Sequence, residues 1–438
     1  MYSYYFNLGL RSLRRNPMLT ALMVLTLAVG VAASMATLTV LYVMSGDPIP
    51  GKSDRLFVPR MDTAPLPGFK PGDEPSDQLN YMDARNLLAS GQGIRRTAVY
   101  GIGSGIDSGR ADLPPFQVQG VAPTRDFFAM FEVPFLYGGP WSASDESAKR
   151  DVIVLNRALS EKLFGPVNPV GRQLRMEGAQ WQIVGVLDRW SPLPRYYRLI
   201  NGNGGGFTGS DEIIIPFQTA VRHEMGNTGN NNCNGADPAP GFQGWIKSEC
   251  DWIQFWFEGK SAADHGRIKD YLAAYVAEQK KLGRFPRPLN NRLENVMQWM
   301  QHLGVVSKDS KLSTWLAFGF LLVCLVNTVG LLLAKFSARA GEVGVRRALG
   351  ATRREIFQQF LTEAAVIGLA GGLLGLLLSF GGLWLISLQS EAMATLARMN
   401  WPMLFLTLTL SVVASILAGL LPTWRACQVT PALQLKTQ

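Results

Sequence analysis

Residues able to do chemistry are thinly spread through this chain of 438 residues. Its three histidines, His223, His265 and His302, are scattered, which argues against a hidden triad, and a metal site built on them would need further ligands. No GxxxxGK[ST], HExxH or GxSxG motif occurs. The stretch "NGNGGGFTGS" at 201–210 lacks the Lys-Ser/Thr of a phosphate-cradling loop, and "GIGSGIDSG" at 101–109 misses the GxGxxG spacing. The chain is therefore expected to catalyse nothing alone and to bind no cofactor or metal. Cysteine offers one reaction. Cys324 lies in an apolar run and Cys427 near the C-terminus, whereas Cys233 and Cys250 flank a Gly/Pro-rich stretch with few apolar anchors. In an oxidising compartment a disulfide between Cys233 and Cys250 would contribute roughly 3 kcal/mol by restricting the unfolded loop, and that pairing is expected.

The most distinctive polar stretch is "GEVGVRRALGATRREIF", residues 341–357, strongly basic and lying between two very apolar runs. Glu342 and Arg346 are four residues apart, a spacing that pairs charges on a helix. Gly350 is placed to end that helix. Thr352 with Glu355 three residues on forms a capping box for the next one. A helix, a tight turn and a second helix are predicted. Positive charge alone fixes membrane topology without a glycine turn, so a purely topological role and a mechanical one both remain open.

The elements around that stretch are membrane spans. A composition of 47% hydrophobic and 17% charged residues fits either a soluble or a membrane protein, but its distribution decides. Residues 18–44 carry no charge, and neither do 312–334, 364–388 and 403–421. About 20 apolar residues suffice to cross the hydrocarbon core. The first run is too long for the ~7–15-residue core of a signal peptide, so it reads as an uncleaved anchor. Lys and Arg concentrate in 1–17 and 335–363, while 389–402 carries only Arg398. The positive-inside rule then puts the N-terminus, the 335–363 segment and the tail 422–438 in the cytoplasm, with 45–311 and the short loop 389–402 outside. The net charge of +9 is partly explained by arginines beside anionic membrane lipids. No nucleic-acid motif accompanies it. Within 1–17, Tyr2, Tyr5, Phe6, Leu10 and Leu13 share a helical face opposite Asn7, Arg11, Arg14 and Arg15, which suits an interfacial amphipathic helix; a basic tail is the alternative.

Between 45 and 311 the pattern is that of an α+β domain. Strand-like runs recur at 54–60, 115–122, 150–155, 181–187, 211–217 and 252–259, and a helix is framed by Asn156 and Gly165. At about 265 residues two subdomains are expected. Ile268, Tyr271, Leu272, Tyr275 and Val276 repeat at helical spacing, followed by Leu293, Val296, Met297 and Met300. Such stripes ordinarily pack a core, although a helix running straight into the membrane would make a rigid stalk. In the third span Ala364, Gly368, Gly371, Gly375, Ser379 and Gly382 form a small-residue stripe, suited equally to packing within the chain and to a dimer interface. Asn327, an amide within the second span, is expected to bond a neighbouring helix.

The segment "ARAGEVGVRRALGATRREIFQQFLTEA" at 338–364 resembles the region after the second span of FtsX-like ABC transporter permeases, through Glu342, Val343, Gly344, Val345, Arg347, Ala348, Gly350 and Ala351. The segments "PFQVQGVAPTRDFFAMFEVPFLYGG" and "RDVIVLNRALSEKLFGPVNPVGRQLRMEGAQWQIVGV" resemble the periplasmic core of MacB-type permeases, and "RRNPMLTAL" and "LPTWRACQVTPALQLK" resemble the family's two ends. The resemblance implies a four-span inner-membrane permease with a large periplasmic α+β domain of two subdomains between spans one and two. Such permeases work in pairs, homodimeric or heterodimeric, with cytoplasmic ATPase subunits that consume ATP and Mg. They transmit ATP-driven motion to the periplasm, together with a periplasmic adaptor and an outer-membrane duct. By the same resemblance, Glu342, Val343, Gly344, Val345, Arg346, Arg347, Leu349, Gly350, Ala351 and Arg353 would couple to the ATPase. MacB carries a fused N-terminal ATPase that this sequence does not show, so a separate ATPase subunit is expected. Efflux of a periplasmic substrate is the leading expectation. Lipoprotein release and FtsX-like regulation of a cell-wall hydrolase are the alternatives, the latter disfavoured by the size of 45–311.

Overall fold

The computed structural model describes residues 16–190, 192–198, 210–233, 238–306, 308–388 and 401–427. The expected interfacial helix over 1–17, the loop 389–402 and the tail beyond 427 lie almost wholly outside these residues. Helix α1 (Pro17–Ser45) opens the chain. There follow β1 (Leu56–Arg60), α2 (Tyr81–Leu88), β2 (Arg95–Asp107), β3 (Phe116–Pro123), α3 (Asp126–Met130), β4 (Phe135–Gly138), α4 (Ala143–Ser147), β5 (Val152–Leu155) and α5 (Arg157–Phe164). Next come β6 (Gln173–Met176), β7 (Ala179–Leu187), β8 (Ile213–Ile214), α6 (Phe217–Arg222), α7 (Phe242–Ile246), β9 (Gln254–Glu258), α8 (Asp264–Lys281), β10 (Arg292–Asn295) and α9 (Val296–His302). The chain closes with α10 (Lys308–Ser337), α11 (Ala340–Ala348), α12 (Arg353–Ser387) and α13 (Trp401–Cys427). Residues 46–305 form one compact unit, and 1–45 with 306–438 the other.

In the first of these units a single sheet runs in the order β10-β1-β9-β2-β3-β8-β5-β7-β4, so the expected pair of subdomains is not a division of the sheet. Strand β6 pairs with both β2 and β7. It thereby closes a circuit of six strands, β2-β3-β8-β5-β7-β6, which removes open edges from that half of the sheet. Alternate residues separate to its two faces: Ile153 and Leu155 of β5 join one core with Trp181 and Ile183 of β7, while Val152 and Val154 join the other. The longest strand, β2, was unmarked in the sequence because glycines interrupt it. From Ile102 to Ile106 its inward residues are Ile102, Ser104 and Ile106, and Gly103 and Gly105 take the opposite face. In β3, Gly120 lets the parallel strand β8 approach so closely that a Cβ there would lie 1.9 Å from the Ile213 carbonyl oxygen.

Helix starts follow their caps. Asn156 accepts from the Leu159 amide at 2.8 Å to open α5, and Asn80 does the same for Asp83 at the start of α2. In α8, Ile268, Leu272 and Val276 are buried, as their spacing predicts. The stripe that begins at Leu293 requires correction, because it is not one helix. Leu293 sits in β10 opposite Pro59 of β1. Asn295 and Gln298 form a capping box that starts the seven-residue α9, and Gly304 follows at φ 62°. An asparagine with a strong N-cap preference interrupts the apolar periodicity, so no continuous stalk helix leads from Leu293 into the next span.

Among the described residues, the other unit contains α1, α10, α12 and α13, four helices long and apolar enough to cross a membrane. They extend past the apolar runs read from sequence, and α12 carries the second arm of the 341–357 corner and the third span as one helix of 35 residues. Hydroxyls tie the helices together: Ser34 of α1 donates to the Ala317 carbonyl of α10 at 2.9 Å, and Ser411 of α13 donates to the Gly368 carbonyl of α12 at 2.7 Å.

Candidate functional site

The 341–357 stretch forms a corner. After α10 ends at Ser337, the nine-residue α11 runs to Ala348, and Gly350 turns the chain at φ 100°, a conformation that side chains disfavour. The Ala351 amide donates to the Arg346 carbonyl at 3.0 Å across the turn. Thr352 then opens α12 with a full capping box, its amide donating to Glu355 Oε2 at 2.9 Å and its hydroxyl accepting from the Glu355 amide at 3.3 Å.

This geometry separates the candidate residues by direction. Val343 and Gly344 face inward and are buried, Val343 in a cluster with Phe336 of α10 and Ile356 and Phe360 of α12. The rings of Phe336 and Phe360 stack at 4.3 Å. Glu342 and Arg346 form a brace: Arg346 donates to Glu342 at 2.6 Å and to Gln359 Oε1 of α12 at 2.8 Å. Arg347 and Ala351 are half-buried and Arg353 is exposed. Val345 and Leu349 point outward, and Leu349 keeps 83% of its surface. The corner therefore pairs an anchored inner face with an exposed apolar edge flanked by arginines.

Sequence reasoning missed the charges that anchor the corner. Glu363 of α12 is buried and receives Lys335 at 2.7 Å and Arg339 at 2.9 Å. Lys335 also reaches the Thr20 hydroxyl of α1 at 3.4 Å. The available signal was position: Lys335 and Glu363 immediately bound the apolar runs 312–334 and 364–388.

The small-residue stripe splits in two. Gly368 faces Ser415 of α13, while Gly371 and Gly375 face Leu27 and Val31 of α1, all within the chain. Ser379 is buried and bonds back to the Gly375 carbonyl. Gly382 has open space where a side chain would stand. Asn327 is exposed on α10 within this chain.

In the unit of residues 46–305, Cys233 and Cys250 are joined by a disulfide, with Cα atoms 4.2 Å apart. It sits beside a charge network. Arg284 grips Asp83 with two nitrogens at 2.8 Å and Glu249 with two at 2.7 Å, and Tyr275 donates to Asp83 at 2.5 Å. Burial opposes the Arg284 charge, but its bonds to Glu249 and Asp83 hold its pKa above the usual value. Next to Cys250, Asp251 is fully buried, with Oδ2 accepting from Thr63 at 3.0 Å and, among the described residues, no hydrogen bond to Oδ1. Burial pushes its pKa up to about 8 against the pull of Ser76 and Thr63, with Asp83 and Glu249 adding to the rise. Among the described residues no group of three or more His, Cys, Asp or Glu is arranged to hold a metal ion.

Four apolar helices and a separate α+β unit define a multi-pass membrane protein with a domain of the periplasmic-core type. Residues 20–272 match the MacB-like periplasmic core domain and residues 315–431 the FtsX-like permease C-terminal domain; the chain belongs to the FtsX/MacB-type permease family. It is 25% identical over 378 residues to the pyoverdine export ATP-binding/permease protein PvdT of Pseudomonas fluorescens, covering 85% of this chain and 50% of that protein. It is 23% identical over 444 residues to the macrolide export ATP-binding/permease protein MacB of Wolinella succinogenes, covering 98% of this chain and 60% of that one. The chain thus spans about half the length of these relatives. Its structure overlaps the periplasmic region of MacB from Actinobacillus actinomycetemcomitans with a TM-score of 0.35 at 12% identity, over 58% of this chain and 94% of that one.

Proposed function

We propose that this chain is the permease of an ABC-type exporter in a bacterial inner membrane. Its α11–α12 corner docks a cytoplasmic ATP-hydrolysing partner and passes the partner's motion to a periplasmic domain. The carrying observation is the corner itself, with Val345 and Leu349 exposed on a helix whose opposite side is fixed to α10 and α12 by Val343 and Arg346. The naming of PvdT and MacB as export ATP-binding/permease proteins supports a link to ATP-driven export. The excess of Lys and Arg around the corner supports a cytoplasmic placement, and with it cytoplasmic termini. In this reading the chain is non-catalytic and holds no cofactor, and ATP and Mg are used by the partner.

A second permease copy, identical or different, completes the assembly, with a periplasmic adaptor and an outer-membrane duct carrying the substrate onward. The exposed amide of Asn327 on the apolar surface of α10 supports a helical neighbour there, because an amide facing hydrocarbon is costly unless bonded. The test is reconstitution of the complex purified from native membranes. Wild type should carry an ATP-binding subunit and hydrolyse MgATP. Leu349→Asp should lose the subunit while inserting normally, whereas full retention of subunit and turnover would defeat the assignment.

A further inference from the structure

The exposed edge of α11 can transmit force only if its other side does not yield, and α11 is short. At nine residues it is below the length at which an isolated helix is stable in water. Its hydrophobic attachment is small, since Val343 and Gly344 are its buried residues. At the first turn, however, three charges converge. Arg339, the residue that caps α11, and Lys335, on the last turn of α10, both bind the carboxylate of Glu363 on α12, one on each oxygen. The same Lys335 reaches Thr20 on α1. Three segments of the chain meet at one buried carboxylate, and α1 is tied to it through Lys335. Burying such charges is expensive, and a cluster of this kind adds little net stability over well-packed apolar residues of similar size. What it adds is directional: removing one partner strands the others, so the geometry admits one arrangement.

The geometry points to Lys335, Arg339 and Glu363 as a positioning clamp that locks the start of α11 against α10 and α12 and holds its outer edge in docking pose. The purpose of the clamp rests on the docking role proposed above, but its existence does not. The clamp is tested by thiol labelling of the full chain in native membranes, with Cys324 and Cys427 replaced by alanine and a maleimide-polyethylene glycol as probe. Reporter cysteines are placed one at a time at Val343, on the inner face of α11, and at Ile367, deeper on α12; both positions are buried in the same cluster.

Glu363→Gln strands the buried Lys335 and the half-buried Arg339 and risks misfolding. The decisive variant is therefore Lys335→Met with Arg339→Met and Glu363→Met, which roughly keeps volume and removes the whole charge cluster without stranding one of its members. In that background the Val343→Cys reporter should label about tenfold faster, the change produced by ~1.4 kcal/mol of lost local stability, while Ile367→Cys stays protected. Lys335→Arg, which preserves the charge, should keep the wild-type rate. Unchanged labelling at Val343→Cys would overturn the clamp, as would equal acceleration at Ile367→Cys, which would make the cluster a general stabiliser of the helices. Loss of ATPase binding by the unmutated chain would instead strike the docking role and leave the labelling result standing.

Discussion

Asp251 gives the sharpest expectation at the scale of a single residue. Its folded pKa of about 8 lies well above the ordinary carboxylate range, so the folded state holds a proton that the unfolded chain releases. Stability of the 46–305 unit is therefore fully present at acidic pH and falls as pH rises from that ordinary range towards 8. Wild type should lose on the order of 10 °C in Tm between pH 5 and pH 8, from ~1.4 kcal/mol per pH unit across most of that window at ~2–4 °C per kcal/mol for a domain of this size. Asp251→Asn should flatten that dependence. Trp252, the neighbouring residue and fully buried, gives a fluorescence reporter, and an equally steep profile in the variant would exclude Asp251 as the cause. Arg284→Ala is a different case, because it leaves the buried Asp83 without its cation. A loss of about 3–5 kcal/mol is expected from breaking such a pair, read from urea unfolding; a change within ~0.5 kcal/mol would show the network to be dispensable.

Among the elements, the α11–Gly350–α12 corner was the most legible from sequence, because its signals are local. A glycine at φ 100°, a Thr-to-Glu capping box and an i,i+4 ion pair each act within a few residues, and all three stand where the residue types put them. The Lys335–Glu363 pair was not legible. Its partners are 28 positions apart and meet only because α10 and α12 pack together. Strand β2 was hidden for a related reason: its glycines leave no continuous apolar alternation, and the strand is fixed by pairing with β3, β6 and β9. Two outcomes belong to this scale. Gly350→Pro should abolish coupled MgATP turnover while the chain still inserts, because proline fixes φ near −65° where about +100° is required; wild-type turnover would count against the turn. Cys233→Ser with Cys250→Ser should destabilise the 46–305 unit by ~3 kcal/mol, and identical reducing and non-reducing peptide maps of the unmutated chain would deny the bond altogether.

The whole molecule is divided along its sequence into a membrane unit and a separate α+β unit, and charge asymmetry and apolar run length make that division readable from the residues alone. Partners are not readable from the same signals, since a single chain displays every docking surface as exposed. The glycine stripe shows the difficulty: Gly368, Gly371 and Gly375 are covered within the chain, whereas Gly382 is open. If a second copy packs along α10, Asn327→Cys should cross-link two chains in native membranes under mild oxidation; monomer alone would place the neighbour elsewhere. The most direct test of the docking role is a benzophenone probe carried on Leu349→Cys in native membranes. One adduct with an ATP-binding protein is expected, its yield changing when MgATP is added; adducts with lipid alone, or none at all, would contradict it.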